Sequence, residues 1–220
     1  MSALYKIGYI DEDIRQVKLY KRKLREYGFE VIGYKFYKNM PLDNLMEQVY
    51  QSGIDLLMID YKLNETNIIP FNGDVVETTI YENKPLFPHI IFTNKVDQAE
   101  PHVDDWKIIF DKEEIFTEGE NDILRVKKFV TMLERSIQQY RNYVSKKKEE
   151  LGKLLEKGIN EGLNAAEKNE ALVLQNELSN LDKTKIHEVP MQLVSVEKIE
   201  NLSKTRKEAE EFLKALIEEE

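Results

Sequence analysis

Short apolar runs and stretches with an apolar residue every third or fourth position alternate along the first two thirds of the chain. Tyr5 to Ile10 predicts a strand, closed by Asp11-Glu12-Asp13. Ile14, Val17, Tyr20 and Leu24 then recur at helical spacing, and Gly28 is suited to terminate that helix. Phe29 to Tyr34 predicts a second strand, and Pro41 to Tyr50 a short helix with Leu42, Leu45, Met46 and Val49 inward. Leu56 to Asp60 predicts a third strand, an apolar run that ends abruptly in a carboxylate. After a polar loop, Asp74 to Ile80 predicts a helix, and His89 to Thr93 a fourth strand introduced by Pro85 and Pro88. Val96 to Glu100 predicts a short helix that Pro101 stops, and Lys107 to Phe110 a fifth strand ending at Asp111-Lys112. Unbroken apolar strands are those of a sheet buried on both faces. Five such strand–helix repeats with short connections imply an α/β fold, an open, doubly wound five-stranded parallel sheet.

From about Gly119 to Leu181 no strand pattern occurs. Val126, Val130, Leu133, Ile137, Tyr140 and Val144 step by four and three, and after a slot filled by Lys147 the seam continues in Leu151 and Leu154. This heptad pattern predicts one helix running out of the sheet domain into a coiled coil. Gly152, Gly158 and Gly162 weaken it by up to ~1 kcal/mol each relative to alanine. Ala171 to Leu181 is apolar again, Asp182 to Pro190 predicts a break, and a last helix is expected from about Ser195. There Ile199, Leu202, Ala209, Leu213 and Leu216 keep heptad steps, with Arg206 in one slot. The pattern divides the chain into a sheet domain of residues 1–135 and an all-α hairpin or coiled-coil extension of residues 136–220. A stripe this narrow cannot bury itself alone, so the extension is expected to pair with a partner protein or with a second copy as a homodimer rather than to remain a solvated tail.

Composition narrows the class. With 220 residues, 41% of them hydrophobic, the chain can build a core of ordinary size. It has no cysteine, which excludes disulfides, thiol chemistry and thiolate zinc sites. A net charge of -9 argues against nucleic-acid binding. No basic stretch followed by an apolar one opens the sequence, and no run approaches the ~18 apolar residues of a membrane span, so a cytoplasmic location with no membrane association is expected. Lys146-Lys147-Lys148 is answered at once by Glu149-Glu150 and reads as a solvated helix face. His89, His102 and His187 have no partner at ligand spacing, and His89, Trp106 and Tyr140 read as packing residues.

The chemistry gathers at the strand ends. In parallel sheets ligands bind outside the carboxyl ends of the strands. Those ends supply Asp11 and Glu12 (strand one), Asp60 (strand three), Thr93 (strand four) and Lys112 (strand five). Three acids in one crevice repel one another: two unit charges 4 Å apart interact by about 4 kcal/mol at an effective dielectric near 20. The cluster therefore calls for a cation or for bound protons. All-oxygen ligands favour a hard divalent ion, and Mg2+ bridges carboxylate and phosphate. Thr93 can donate to a phosphoryl oxygen, Lys112 can pair with Asp60, and an aspartate carboxylate is a competent phosphoryl acceptor.

In this order, an acid pair, an acid, a threonine and a lysine on successive strands, the sequence resembles the receiver domain of two-component response regulators, the CheY-like fold. Ile10-Asp11-Glu12-Asp13 matches the acidic pair, Ile59-Asp60-Tyr61-Lys62-Leu63 the segment holding the phosphoacceptor, and Thr93 and Lys112 the switch hydroxyl and the lysine, over residues 4 to 135. The resemblance implies a phosphoacceptor signalling module, not an enzyme beyond autodephosphorylation. It implies that Asp60 accepts phosphate from a histidine kinase or phosphotransfer protein. It also implies Mg2+ held by Glu12, Asp60, Asp11 through water and the Lys62 backbone carbonyl, and an inward move of Thr93 on phosphorylation. The sequence departs from the family in several places. Asn64 takes the position of a usual proline, and Pro70 and Gly73 come late, after an inserted Glu65-Thr66-Asn67-Ile68-Ile69. Asn94 stands where a small residue is usual, Glu113 where a cis proline follows the lysine, and Ile109 where the switch aromatic lies. These departures motivate an alternative, a pseudo-receiver adaptor that works without phosphate. A third reading, a phosphatase of the haloacid-dehalogenase type, takes Asp11-Glu12-Asp13 as an Asp-x-Asp signature.

Overall fold

The computed structural model describes residues 5–116 and 122–182, all within the first of two compact units along the chain, residues 1–184. Five strands form one sheet: β1 (Tyr5–Ile10), β2 (Phe29–Gly33), β3 (Leu56–Ile59), β4 (His89–Thr93) and β5 (Ile109–Asp111). Every pairing is parallel and the order is β2-β1-β3-β4-β5. The register opposes Ile10 to Ile59, Ile59 to Ile91, and Thr93 to Asp111. It therefore ends β1 and β3 together and carries β4 and β5 two residues further at the same edge of the sheet.

The helices cover both faces, which is why β3 is buried at all four positions. Helix α1 (Ile14–Arg25) buries Val17, Tyr20 and Leu24 on one face, while Ile14 at its start is 55% exposed, outside the stripe its spacing suggested. Helices α2 (Leu42–Gln51) and α3 (Gly73–Asn83) bury Leu45, Met46, Val49, Val76 and Ile80 on the other. Helix α4 (Val96–Ala99) is a single turn. Residues Trp106–Ile108 form a 3-10 turn, so β5 begins two residues later than the sequence suggested. Trp106, expected to pack, is 68% exposed on that turn. A short helix α5 (Lys112–Ile115), not anticipated from the sequence, follows directly, because the Asp111 carboxylate accepts from the N–H groups of Glu113 and Glu114.

Helix α6 (Asp122–Asn160) is continuous over 39 residues. Its heptad seam serves two different surfaces. Val126, Val130, Leu133 and Ile137, with Phe129, are buried against the sheet in the cluster that also holds Tyr9, Tyr20 and Phe92. Below them, Tyr140 meets Phe87 edge-on, and Arg141 reaches Asp55 at the foot of β3 at 2.6 Å. Beyond the sheet, α6 pairs with α7 (Ala165–Leu181), which buries Ala171, Leu174 and Leu181. Lys157 pairs with Glu167, and Lys147 with Glu177 at 2.7 Å, so the helices are antiparallel. Lys147, the charge in the apolar seam, is thus the anchor of an interhelical ion pair.

The extension is all-α as expected, and within the described residues α6 and α7 form a hairpin with a reversal that the apolar pattern did not predict. The turn is at residues 161–164, where Gly162 takes φ +81. Asn164 then caps α7 in a reciprocal box with Glu167. A glycine inside a helical pattern reads as tolerated, and here it is the reversal itself. Of the break expected from Asp182 to Pro190 all but Asp182 lies outside the described residues, as does the last helix expected from Ser195. Among the described residues no helix is long and apolar enough to cross a membrane.

Candidate functional site

The apolar β1 and β3 run out together, and their next residues are Asp11 and Asp60. The Asp60 N–H extends the ladder to the Ile10 carbonyl at 2.8 Å, so the two carboxylates leave the sheet as neighbours. Lys112 joins them from the start of α5. Its Nζ donates to Asp60 Oδ1 at 2.8 Å and to Asp11 Oδ2 at 2.9 Å, and all three side chains are nearly shielded from water. The ammonium also lies over two aromatic rings, with Nζ 5.5 Å from the Tyr9 centroid and 5.8 Å from that of Phe92. The cation that the acid cluster demanded is therefore, in the first instance, Lys112.

Other donors hold each acid. Asp11 Oδ2 also accepts from the buried Tyr9 hydroxyl at 2.6 Å, and Oδ1 from the Asp13 N–H at 2.9 Å. Asp60 Oδ2 accepts from the Lys62 N–H at 3.2 Å. Burial pushes the Asp60 carboxyl above the usual carboxylate range, Lys112 pulls the other way, and the charge on Asp11 adds to the rise. Burial likewise raises the Tyr9 hydroxyl well above the ordinary tyrosine value, with the Asp11 charge second, so Tyr9 remains a donor.

Thr93 is fully buried at the end of β4, its Oγ1 accepting from the Lys95 N–H at 3.1 Å, and its hydroxyl also favours the ionised Asp60. Asn94, next in the chain, turns outward to Glu113 at 3.3 Å. Among the described residues no peptide is cis, in keeping with Glu113 rather than proline after Lys112. Gly73 opens α3 against the site from behind, its N–H donating to the Tyr61 carbonyl at 2.7 Å, and a Cβ there would drive into the Asp60 carbonyl oxygen. The late-coming glycine thus packs directly on the backbone of the central acid despite the insertion before it.

Glu12 stands apart from the triad. Its Oε1 accepts from the Thr66 N–H at 3.1 Å and its Oε2 from the Thr66 hydroxyl at 3.0 Å, across 54 residues of chain. Burial raises its carboxyl and the two Thr66 bonds oppose the rise. Among the described residues no three His, Cys, Asp or Glu side chains converge as a ready metal cage. The structure thus brings together Asp11, Asp60, Thr93 and Lys112, and leaves Glu12 bonded to a loop.

Two participants were not singled out from the sequence. Tyr9 lies two residues before Asp11, on the same strand face by alternation, so its position was legible while its polar role was hidden behind an apolar ring. Thr66 carried no local signal, because its partner is set by the fold. Asp13, by contrast, is committed to capping α1, accepting from the Arg15 N–H and guanidinium.

No family model matches the chain. No curated protein matches it either. Among solved structures, a fusion carrying a trimeric coiled-coil segment from yeast is 17% identical, with a TM-score of 0.45 over 66% of this chain and 87% of its own. The response regulator TrrA from Thermotoga maritima, in complex with Mg2+ and BeF, is 19% identical, with a TM-score of 0.41 over 59% of this chain and 99% of its own. A response regulator receiver domain protein from Clostridium thermocellum is 16% identical, with a TM-score of 0.42 over 64% of this chain and 99% of its own. Response regulator receiver domains recur among these neighbours, matching 59–64% of the chain.

Proposed function

We propose that the chain is a receiver module that accepts a phosphoryl group on Asp60 and passes the event to α6 and its helical hairpin. The observation that supports this most is Lys112 Nζ held between Asp11 and Asp60 at the carboxyl edge of the sheet. A buried carboxylate is a poor resting anion, and its nearest cation is positioned to follow the new charge onto a phosphoryl oxygen. In the transfer, an Asp60 oxygen attacks phosphorus, the bond to the donor imidazole breaks, and an acyl phosphate forms while the imidazole leaves with the electron pair. Thr93, at the neighbouring strand end, would donate its hydroxyl to an oxygen of that phosphoryl group.

The donor set fits Mg2+ in kind: Asp11, Glu12 and Asp60 offer hard oxygens, and three acids with one lysine leave negative charge uncompensated. Asp60 and Asp11 would hold the ion with Glu12 once that side chain leaves Thr66, and the Lys62 carbonyl is a further ligand by resemblance. Bound there, Mg2+ would neutralise charge developing on the transferred group. The histidine kinase or phosphotransfer partner, the cytoplasmic setting and the boundary near residue 135 belong to the same proposal.

The pseudo-receiver reading is the alternative. It gains from Tyr9, Lys112 and Thr66 occupying acid oxygens that a cation or phosphoryl group would need. The phosphatase reading loses the second acid of its signature, since Asp13 is engaged as a cap. The deciding experiment is incubation with acetyl phosphate and Mg2+, followed by intact-mass spectrometry. A single added phosphoryl group in the parent and none in Asp60→Asn is expected. An unmodified parent would favour the adaptor.

A further inference from the structure

The segment between β3 and α3 carries the insertion Glu65-Thr66-Asn67-Ile68-Ile69, and it is pinned at both ends. Leu63 and Ile69 are buried in the core, and the Ile68 carbonyl accepts from the Asn39 N–H at 2.7 Å. Tyr61 stacks on His102 at a centroid distance of 6.2 Å. Between these anchors the chain turns tightly, with Asn67 at φ 54 and its N–H on the Asn64 carbonyl. The exposed tip then reaches back to the site through Thr66, which occupies both oxygens of Glu12. Glu12 is also the acid that stands apart from Asp11 and Asp60.

We propose that Thr66 is a strap that competes with a divalent cation for Glu12. Cation binding at the acid cluster and closure of the inserted loop would then exclude one another. The physical reason is the donor geometry. An N–H and an O–H aim their positive ends at one carboxylate, holding it toward the loop and weakening it as a ligand for a second positive charge. A cation that recruits Glu12 must break these bonds, and the loop then loses its hold on the site. Coupling of this kind is reciprocal: whatever factor the strap takes from cation affinity, the cation takes from loop closure. The inference rests on the Mg2+ part of the proposed function, and Thr66 acts in it as a positioning residue.

The test is titration calorimetry of MgCl2 into the parent, Thr66→Val and Thr66→Ser, with hydrogen exchange of residues 62–70 read with and without Mg2+. Valine keeps the N–H and shape but loses the hydroxyl, and should bind Mg2+ roughly three- to tenfold more tightly, the net worth of one ordinary solvent-exposed hydrogen bond. Serine restores the hydroxyl and should return the parent affinity. In the parent, Mg2+ should raise exchange in the loop. Equal affinity in all three proteins, with loop exchange indifferent to Mg2+, would overturn the strap while leaving the metal reading intact. No binding heat in any of them would remove the metal reading and the competition with it.

Discussion

At the scale of residues, the buried Lys112 with its two carboxylates sets the energetics of the site. Removing the cation by Lys112→Met leaves Asp11 and Asp60 shielded from water and unpaired, and is expected to cost about 3–5 kcal/mol in a urea-unfolding series. Asp60→Asn should act in the opposite direction. The native state raises the Asp60 carboxyl above its ordinary value, so its stabilising contribution is present in acid and lost as pH rises through the raised native value. At neutral pH and without Mg2+, Asp60→Asn should therefore be more stable than the parent, by about 1 kcal/mol, the ordinary size of a single-site effect. The difference should close as pH falls and the parent takes up its proton. Chemical denaturation at pH 7.5 and pH 5 measures both values, and a gap that widens in acid would contradict the burial argument. The residues of this triad were legible because a run such as Leu56-Leu57-Met58-Ile59 ends visibly in an acid. Thr66 was not legible, since a threonine in a polar loop looks the same whether or not a fold places it 3 Å from a distant glutamate.

At the scale of elements, α6 shows how one apolar seam serves two purposes. The four-and-three stepping from Val126 to Leu154 is uniform in sequence, but its upper part lies on a sheet and its lower part on another helix. Periodicity reports which face is buried and says nothing of what covers it. Ile137 is fully buried under the sheet, whereas Leu151 keeps partial access to solvent. Ile137→Ala should cost about 2–5 kcal/mol. Leu151→Ala should cost less than half as much, because a site still open to water loses less transfer energy and leaves no closed cavity. Equal losses in thermal unfolding would mean that the seam is one uniform interface after all. The reversal at Gly162 escaped the same reading because local pattern cannot separate a tolerated helical glycine from a turn. The pairs between Lys147 and Glu177 and between Lys157 and Glu167 show it from the packing of the two helices. The late start of β5 has a similar cause. Trp106 has a strand-like composition around it, but Asp105 accepts from the Lys107 N–H and draws the chain into a tight turn first.

At the scale of the whole described molecule, α6 crosses from the site to the opposite end of the sheet. Near the site Phe129 meets Phe92 and Phe116, and at the far end Arg141 meets Asp55. At 1.5 Å per residue its 39 residues extend about 58 Å, so a change at the strand ends has a single rigid element on which to act. The hairpin built on it is fastened unevenly. At the root, Lys84 lies over Tyr50 and Phe87 and meets Asp182 at 3.3 Å, with side chains only 13% and 16% exposed. Toward the turn, the Lys157 of the Lys157–Glu167 pair is 43% exposed. Counter-ions screen the open pair and scarcely reach the sheltered one. Concentrated salt should therefore peel α7 from its outer end inward. Amide protection at residues 165–168 would fall in 1 M NaCl before that at residues 174–181, and simultaneous loss would show that both ends let go together. The hairpin would behave as a clasp whose hinge stays shut while its tip works loose.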